Sequence, residues 1–482
     1  MIGALGFLLY LPSLSGGFVW DDTSLFAGGW LARPDALATI WFRPGEIRTE
    51  EHYWPVLYTL FYLQHLLWGS EPTGYRLVNM VLHAGNGLLL LGLLRQLQVR
   101  WAFAAAALFA VHPAHVESVA WIIELKDVLS GCFMLAAMLA FFLSMREVRS
   151  RAVFWGWLLL SFVLFAAALG SKSVSVVTPV ALAVICWWRG DGLRRREVLA
   201  LTPFFLLSAA YTALDLGFVA KASNPALEFS LLERVSIAGR AFWFYIGKSF
   251  WPLGLGPVYP LWSVEAATMA SLGPALLAVA LLVTLAMASR RLGRGPVALA
   301  VLFTVTLLPT LGLVPFTFQQ YSFVADRYLY LPVACPAVAA AYAAAGLSDR
   351  LAATSFRFMP GLVLIAAGVL LIVQTLQYIP VYRDNESWAR AVLARNPQAV
   401  IGHQVLGVTL LARGDIAGAM PHLQAVIERQ PGNASAHYNL AVAHALAGRT
   451  EQALECVGRA LAADPEHRNA LSLRDRLTTP TP

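Results

Sequence analysis

Charged residues are scarce in this chain of 482 residues: Asp, Glu, Lys and Arg together make up 13% of it. Hydrophobic residues make up 58%. Soluble globular domains carry about 25% charged residues and about half apolar ones. Because a water-soluble core could not bury so much apolar surface, the composition excludes a single soluble domain and indicates that lipid serves as part of the solvent.

Cysteine and lysine are also rare. The four cysteines, Cys132, Cys186, Cys335 and Cys456, lie far apart and form no CxxC pair, so neither a zinc ribbon nor a disulfide framework is predicted. Only four of the 35 basic residues are lysine, which hints at a GC-rich bacterial genome. The formal net charge of +7 resides largely in arginines of short loops between apolar runs, a membrane-topology pattern that argues against nucleic acid as a partner.

Long apolar runs recur through the first 380 residues, most of them near the ~20 residues that cross a bilayer. They lie at 75–95, 101–121, 128–146, 152–170, 174–189, 197–216, 268–288, 296–315, 328–347 and 358–379. A shorter run, Met1 to Leu14, lacks the basic flank and the cleavage site of a signal peptide, so we interpret it as a first membrane helix. The prediction is an all-α, polytopic membrane domain of about eleven transmembrane helices, residues 1–380.

The arginine-rich loops predict the orientation of these helices. The loops at 95–100, 146–151, 189–196, 290–294 and 350–357 all fall on one side if residues 217–267 stay on the other. Within that stretch, 231–251 mixes charges with aromatics and suits an interfacial helix better than a spanning one. This arrangement predicts a cytoplasmic N-terminus and four outer segments, namely 15–74, 112–127, 217–267 and 316–327.

The last hundred residues, 381–482, regain charge and repeat at a fixed interval. Pro397, Pro431 and Pro465 are 34 residues apart, and the pairs Leu406/Leu440, Gly414/Gly448 and Ala419/Ala453 keep the same spacing. This is the tetratricopeptide (TPR) period. The sequence predicts two full repeats with flanking helices, a short α-solenoid on the outer side that binds a peptide or protein; packing against the membrane domain is the alternative.

Two adjacent carboxylates, Asp21 and Asp22, follow the first apolar run directly. Such a pair at a membrane boundary is costly unless it has a task, and a carboxylate there can act as a general base or bind a metal. The alternative is a helix cap. Further along the first outer loop, His52, Tyr53 and Trp54 either line a site or form an interfacial aromatic belt.

The densest polar group is the segment AVHPAHVESVAWIIELKDVLS (110–130). Its ionisable side chains are His112, His115, Glu117, Glu124, Lys126 and Asp127. Pro113 breaks the helical geometry of zinc-binding motifs, so a hydrogen-bond network is the better interpretation and no metal ligand is assigned. A simpler explanation of the charges of Lys126 and Asp127 is that they pair either with each other or with Glu124.

Three further cations lie on the predicted outer face: Arg76, Lys172 and Arg327. Arginine suits phosphate because its planar fork donates two hydrogen bonds at once, and a lone lysine beside hydroxyls also suits it. Asp326 and Tyr328 flank Arg327. Together with Lys126, these cations predict one basic, aromatic-rich pocket for an anionic, lipid-linked substrate.

The ordered set of motifs resembles the transmembrane-and-TPR protein O-mannosyltransferases of the GT-C glycosyltransferase superfamily. The motifs are FVWDD after the first helix, HPAHVESVAW with LKD, GSKSVSVVTPV, DRYLYLP and the C-terminal repeats. In this sequence Leu125 stands where the family pattern usually has a basic residue, and Ser173 stands where it usually has glutamate.

The resemblance implies a mechanism. A sugar, mannose or another hexose, leaves its polyprenyl-phosphate carrier, and Asp21 or Asp22 deprotonates the acceptor hydroxyl, which attacks with inversion on the outer (periplasmic or lumenal) side. Arg76, Lys126, Lys172 and Arg327 would cradle the phosphate; His52, Tyr53, Trp54, His112, His115, Glu117, Asp127, Asp326 and Tyr328 would line the site. The expected acceptor is protein Ser or Thr. No cofactor is required, and a divalent metal is left open.

Two other function classes fit parts of the sequence. A non-catalytic membrane scaffold would recruit partners through its repeats, and a transporter of lipid-linked saccharides would carry charges near mid-membrane. The gathering of polar residues in outer loops favours the transferase, in the inner membrane of a bacterium with the repeats in the periplasm.

Overall fold

The computed structural model describes residues 1–47, 52–146, 150–190, 192–219, 229–264 and 269–479. Helices and turns account for all regular structure in these ranges, and no strand occurs in them, as the composition predicts. The chain divides into two compact units: Met1–Leu255 with Leu261–Pro380, and Gly256–Pro260 with Val381–Pro482.

The first unit is built from helices α1 to α15. Their bounds are α1 Ile2–Leu8, α2 Ala36–Phe42, α3 Pro55–Trp68, α4 Pro72–Gln96, α5 Ala102–Ala110, α6 Val116–Ala120, α7 Leu125–Ser144, α8 Arg151–Leu169, α9 Thr178–Arg189, α10 Arg195–Val219, α11 Leu231–Phe250, α12 Met269–Leu292, α13 Gly295–Leu307, α14 Ala334–Arg350 and α15 Met359–Tyr378. Short 3-10 helices connect several of them, at Trp20–Ala32, Pro113–His115, Ile122–Glu124, Ser173–Val177 and Asp326–Leu329.

Six helices in the described ranges are long and apolar enough to cross a membrane, and the number rises to eight if each of two bent pairs is one span. The protein is therefore a multi-pass membrane protein, but the predicted count of about eleven is not confirmed. The other predicted spans fold as shorter or more polar helices, such as α13 and α14. Only 6% of the apolar stretch in Ser271–Leu292 is buried, against 72% in Ile122–Ser144, so the first faces lipid and the second forms core.

In the stretch 231–251, which the sequence predicts to be interfacial, residues Leu231–Phe250 form the continuous helix α11, which is not among the candidate membrane spans. It packs closely on α12. A Cβ built on Gly239 would lie only 2.4 Å from the backbone nitrogen of Ala275, so glycine is needed for this approach. Trp243 Nε1 also donates to the carbonyl of Pro274 at 2.9 Å.

The second unit contains paired helices: α16 Asn385–Arg395, α17 Val400–Ala412, α18 Ile416–Arg429, α19 Ala434–Leu446, α20 Thr450–Ala463 and α21 Arg468–Thr478. The bounds of α17 and α19 differ by 34 residues, as do those of α18 and α20. The turns repeat too: Gly414 (φ +81°) and Gly448 (φ +72°) adopt the left-handed conformation that glycine tolerates best. The small residues Ala419 and Ala453 are fully buried, as expected where paired helices touch.

Candidate active site

One face of α4 is polar along its buried length. Arg76, Asn79, His83 and Asn86 recur at steps of three and four residues, and all four are fully buried. Their side chains bind backbone carbonyls of segment 110–128. The contacts are Asn79 Nδ2 to Trp121 O (3.1 Å), His83 Nε2 to Ala110 O (3.0 Å) and Asn86 Nδ2 to Val128 O (2.8 Å). This stripe therefore fixes the segment that carries five of the predicted site residues.

Arg76, predicted to contact phosphate, joins two loops in this structure. Its guanidinium donates to the carbonyls of Ala120 and Gly17. Glycine at position 16 makes room for it, since a Cβ there would lie 2.7 Å from Arg76 Cζ. The first outer loop is thus tied to segment 110–128 through one buried cation.

Asp22 is a structural tie as well. Its side chain is fully buried, Oδ2 accepts from the backbone N–H of Val19 and Oδ1 from that of Ile123, both at 2.8 Å. Both of its oxygens are therefore engaged by backbone donors. Burial, reinforced by the neighbouring charge of Asp21, raises the pKa of Asp22 to about 8.

Asp21 is placed differently. Its Oδ1 is buried and has no hydrogen-bond partner among the described residues. Burial raises the pKa of Asp21 from 3.8 to about 6, while the cations Lys126 and Arg327 lower it and Glu124 raises it. The preceding residue, Trp20, has φ +46°, and its ring stacks on Trp121 with 5.7 Å between centroids. The Asp21 carboxylate, one oxygen of which accepts no hydrogen bond from the described residues, thus follows directly on the strained backbone of Trp20.

The remaining predicted cations do not stand free but pair with buried carboxylates. Lys126 Nζ lies 3.1 Å from Glu124 Oε1, and Arg327 Nε lies 3.4 Å from the same oxygen. Arg327 also binds Glu117, through its side chain and through its backbone N–H at 2.9 Å from Oε2. Lys126 therefore takes Glu124 as its partner, one of the alternatives that the sequence left open.

Asp127 instead pairs with Lys172 and also accepts from the Ser118 hydroxyl at 3.1 Å. The spacing of 45 residues between Asp127 and Lys172 gives no sequence signal for this pairing. Arg327 and Lys172 line one cleft with Asp127, and Tyr328 and Tyr330 form part of its wall.

Aromatic rings cover the cations. The guanidinium of Arg327 lies 4.0 Å from the ring centroid of Phe318, and the ammonium groups of Lys172 and Lys126 lie 5.8 Å and 6.0 Å from the rings of Tyr328 and Trp54. Such contacts stabilise a partly desolvated cation.

The segment His52–Trp54 joins this cluster through a residue that the sequence analysis missed, Asp215. His52 Nδ1 lies 3.1 Å from Asp215 Oδ2, and the His52 ring stacks on Trp54 at 4.4 Å. Trp54 Nε1 donates to the Ser173 hydroxyl at 2.8 Å. Asp215 falls at the end of the apolar run 197–216, where its only signal was a single carboxylate in a predicted span. Tyr53 turns outward, its hydroxyl donating to the carbonyl of Trp41.

The other predicted site residues have structural partners. His112 Nε2 lies 3.2 Å from the carbonyl of Ser249, and His115 Nε2 lies 2.9 Å from that of Tyr330. Asp326 accepts from the Tyr378 hydroxyl at 3.2 Å. These contacts form the hydrogen-bond network favoured for the HPAHVE segment. In the described ranges no group of three or more His, Cys, Asp or Glu side chains has the arrangement to hold a metal ion.

Fold and site together define an all-helical, multi-pass membrane protein with a buried network of acids and cations, followed by a repeat domain. A family model described as "Tetratricopeptide repeat" matches residues 410–477, which confirms the predicted repeats.

Curated relatives bear the name protein O-mannosyl-transferase. The chain is 32% identical over 269 residues to Tmtc1 of Drosophila melanogaster, covering 50% of this chain and 30% of that protein. It is 34% identical over 170 residues to human TMTC2, covering 32% and 20%, and 35% identical over 214 residues to mouse TMTC3, covering 40% and 23%. The chain thus spans less than a third of the length of these relatives. They confirm the resemblance to the transmembrane-and-TPR protein O-mannosyltransferases.

Two solved structures are similar in their helical arrangement. One is the archaeal oligosaccharyltransferase AglB of Archaeoglobus fulgidus in complex with an inhibitory peptide and a dolichol-phosphate (TM-score 0.41, 13% identity, covering 81% of this chain and 55% of that one). The other is ArnT of Cupriavidus metallidurans bound to undecaprenyl phosphate (TM-score 0.38, 16% identity, covering 95% and 79%).

Proposed function

We propose that this protein is a glycosyltransferase that moves a hexose from a polyprenyl-phosphate carrier to a hydroxyl group, with Asp21 as the base. The observation that carries the proposal is the open, buried oxygen of Asp21 beside Lys126 and Arg327, in a chain homologous to protein O-mannosyl-transferases. A catalytic carboxylate needs an unengaged oxygen, and Asp22, with both oxygens engaged by backbone donors, lacks one.

In the proposed reaction, Asp21 accepts the proton of the acceptor hydroxyl. The acceptor oxygen forms a bond to the anomeric carbon from the face opposite the phosphate, and the bond from that carbon to the phosphate oxygen breaks. The electron pair leaves with the lipid phosphate, so the anomeric configuration inverts. Phosphate is a good leaving group, so cations suffice to stabilise its charge and no acid is needed.

Lys126, Lys172 and Arg327 form the proposed phosphate cradle. Each already contacts a carboxylate and an aromatic ring, so the phosphate would replace a carboxylate as the anionic partner. Arg76 is given a different role in this proposal, because its donors hold the carbonyls of Ala120 and Gly17 and join the two loops that carry the base and the cradle.

The proposed acceptor is a Ser or Thr hydroxyl of a protein on the outer side of a bacterial inner membrane. The repeat domain, residues 381–482, supports this choice, since helical repeats offer an extended surface for peptides or partner proteins. Mannose is the sugar that the names of the relatives suggest.

The test measures transfer of radiolabelled hexose from polyprenyl-phosphate donors to proteins of a periplasmic extract, using the purified full chain. We expect Asp21→Asn to lower the transfer rate by about 10²–10⁴-fold, the usual contribution of a general base. Asp35→Asn is the matched control, because this carboxylate of the same loop is paired with Arg33 and Arg43 at the surface. Asp35→Asn should keep full activity.

Two results would contradict the proposal. Undiminished transfer by a folded Asp21→Asn variant would remove the assigned base. No transfer from any polyprenyl-phosphate hexose by the folded parent protein would favour the non-catalytic scaffold.

A further inference from the structure

A recess lined by arginines lies at the end of α9 that points away from the candidate site. Its walls are Trp188, Arg189, Gly190, Arg194 and Arg294. They come from the C-terminal end of α9, the approach to α10 and the turn before α13. The function proposed above uses none of these residues.

The recess and the candidate site are about one bilayer apart. The helical stretch Ser173–Arg189 begins directly after Lys172 of the site and ends at Arg189 of the recess. At 1.5 Å per residue its 17 residues span about 26 Å, close to the ~30 Å of a hydrocarbon core. The recess therefore lies where lipid headgroups of the opposite leaflet would be.

Arg294 is held in place by the protein itself. Its Nη1 donates to the carbonyls of Trp187 (3.1 Å) and Gly190, and its guanidinium carbon lies 5.4 Å from the ring of Trp187. Since both bonds use Nη1, the Nε and Nη2 groups make no hydrogen bond to the described part of the chain. The planar fork is thus fixed in one orientation with donors to spare, the arrangement that suits a phosphate group.

The other two arginines carry no carboxylate partner in the described ranges, and the guanidinium of Arg189 lies 5.5 Å from the ring of Phe142. Arg189 and Arg194 form no ion pair within the described ranges, and both side chains are exposed. Three arginines and an indole line this one recess at headgroup depth, which suits the charge of a phosphodiester and the wet, half-apolar surroundings of a glycerophospholipid headgroup.

We infer that this recess binds the phosphodiester headgroup of an anionic phospholipid from the leaflet opposite the candidate site. The competing explanation is that the arginines only set the orientation of the helices, as positively charged loops commonly do. The two differ in one respect: a site needs these particular arginines, whereas orientation needs only their charge on that side.

The experiment counts lipids retained by the purified full chain in native mass spectrometry, after titration with phosphatidylglycerol or, separately, phosphatidylcholine. The double variant Arg189→Gln/Arg194→Gln removes two charges from the recess and keeps the structurally engaged Arg294. The control variant Arg350→Gln/Arg357→Gln removes two exposed arginines from another predicted loop of the same side. We expect phosphatidylglycerol to bind at least about tenfold more weakly to the recess variant than to the control.

Three outcomes would overturn the inference. Equal loss in both double variants would mean diffuse attraction between arginines and lipid. Equal retention of the two lipids by the parent protein would mean that no anion is recognised. Displacement of phosphatidylglycerol by inorganic phosphate alone would identify a soluble ligand instead. None of these measurements depends on sugar transfer, so the inference stands or falls separately from the proposed function.

Discussion

Asp21 and Asp22 are adjacent in sequence, yet their partners differ. The sequence could identify the pair as unusual, because two carboxylates beside an apolar run are costly, but it could not tell which one is engaged. The answer depends on the N–H of Ile123, 101 residues away, which reaches Asp22 only because α4 and Arg76 fix segment 110–128. Contacts over such separations leave no trace in local spacing. The same reason hid the pairing of Asp127 with Lys172.

The pKa of Asp21 predicts a particular pH dependence. A general base works only when deprotonated, and burial raises the pKa of Asp21 to about 6, so kcat/KM should fall as the pH drops below about 6. Glu124 raises this pKa and Lys126 lowers it. In Glu124→Gln the acid limb should therefore move to lower pH, and in Lys126→Gln to higher pH. The measurement is kcat/KM against pH for the parent and both variants.

The two variants should shift the acid limb of the pH profile in opposite directions, and this makes the test specific to the assigned base. A general loss of activity would lower both profiles without moving their midpoints in opposite senses. Asp35→Asn serves as the control, since this exposed carboxylate should leave the acid limb in place. An acid limb that stays near pH 6 in Asp21→Asn would show that another group titrates.

Among the helices of the membrane unit, an apolar run in the sequence predicts that a helix forms but not how long that helix is. A run of 20 apolar residues predicts a membrane helix, but the bend at Pro113 and the 3-10 helices at Ile122–Glu124 and Ser173–Val177 depend on tertiary contacts. The polar stripe of α4 was readable, because Arg76, Asn79, His83 and Asn86 follow a helical spacing. Of these four residues only Arg76 is among the predicted site residues, so the element that positions the site is not predicted.

Two glycines of α11 should respond oppositely to substitution by alanine. A Cβ on Gly239 would meet the backbone of Ala275, whereas nothing lies within 4 Å of a Cβ on Gly247. Gly239→Ala should therefore destabilise the protein by about 1–3 kcal/mol through overpacking. Gly247→Ala should be neutral or stabilise it by up to about 1 kcal/mol, since alanine favours the helix. Thermal unfolding in detergent compares the two variants. Equal destabilisation would contradict the close packing of α11 on α12.

The structure of the repeat unit, unlike that of the membrane unit, follows from local features of the sequence. The backbone bonds that close its turns recur at the same interval as the sequence: Asp415 N to Leu410 O at 3.0 Å, and Arg449 N to His444 O at 2.9 Å. Because each repeat is a local unit that contacts its neighbours, its period is visible in the amino-acid sequence. The helices α17 to α20 therefore recur at the predicted interval of 34 residues.

For the whole molecule, composition and repeats predicted a helical membrane unit followed by a helical repeat unit. The structure divides the chain close to residue 380 and assigns Gly256–Pro260 to the second unit, which no sequence signal indicated. Length and hydropathy identify six long apolar helices in the described ranges, whereas α9 and α13 belong to shorter apolar stretches, Ser173–Arg189 and Gly295–Thr310.

The orientation predicted from the arginines can be measured with fused reporters. A fluorescent protein that matures only in the cytoplasm should stay dark when fused after Pro482, whereas alkaline phosphatase, active in the periplasm, should be active there. The same pair inserted at 95–100 should give the reverse result, because that basic loop is predicted to be cytoplasmic. A fluorescent fusion after Pro482 with an unchanged result at 95–100 would contradict the predicted side of the repeat unit, the result expected if α11 crosses the membrane.

The pairing of cations with carboxylates in the candidate site has a consequence for the end of the catalytic cycle. Three carboxylates, Glu117, Glu124 and Asp127, pair with three cations, Lys126, Lys172 and Arg327. Under the proposed function, the spent lipid phosphate must therefore compete with anions tethered beside it at high effective concentration. Those carboxylates return to the cations as the phosphate departs. The site thus carries its own displacing ligands, and product release is built into the same ion pairs that receive the donor.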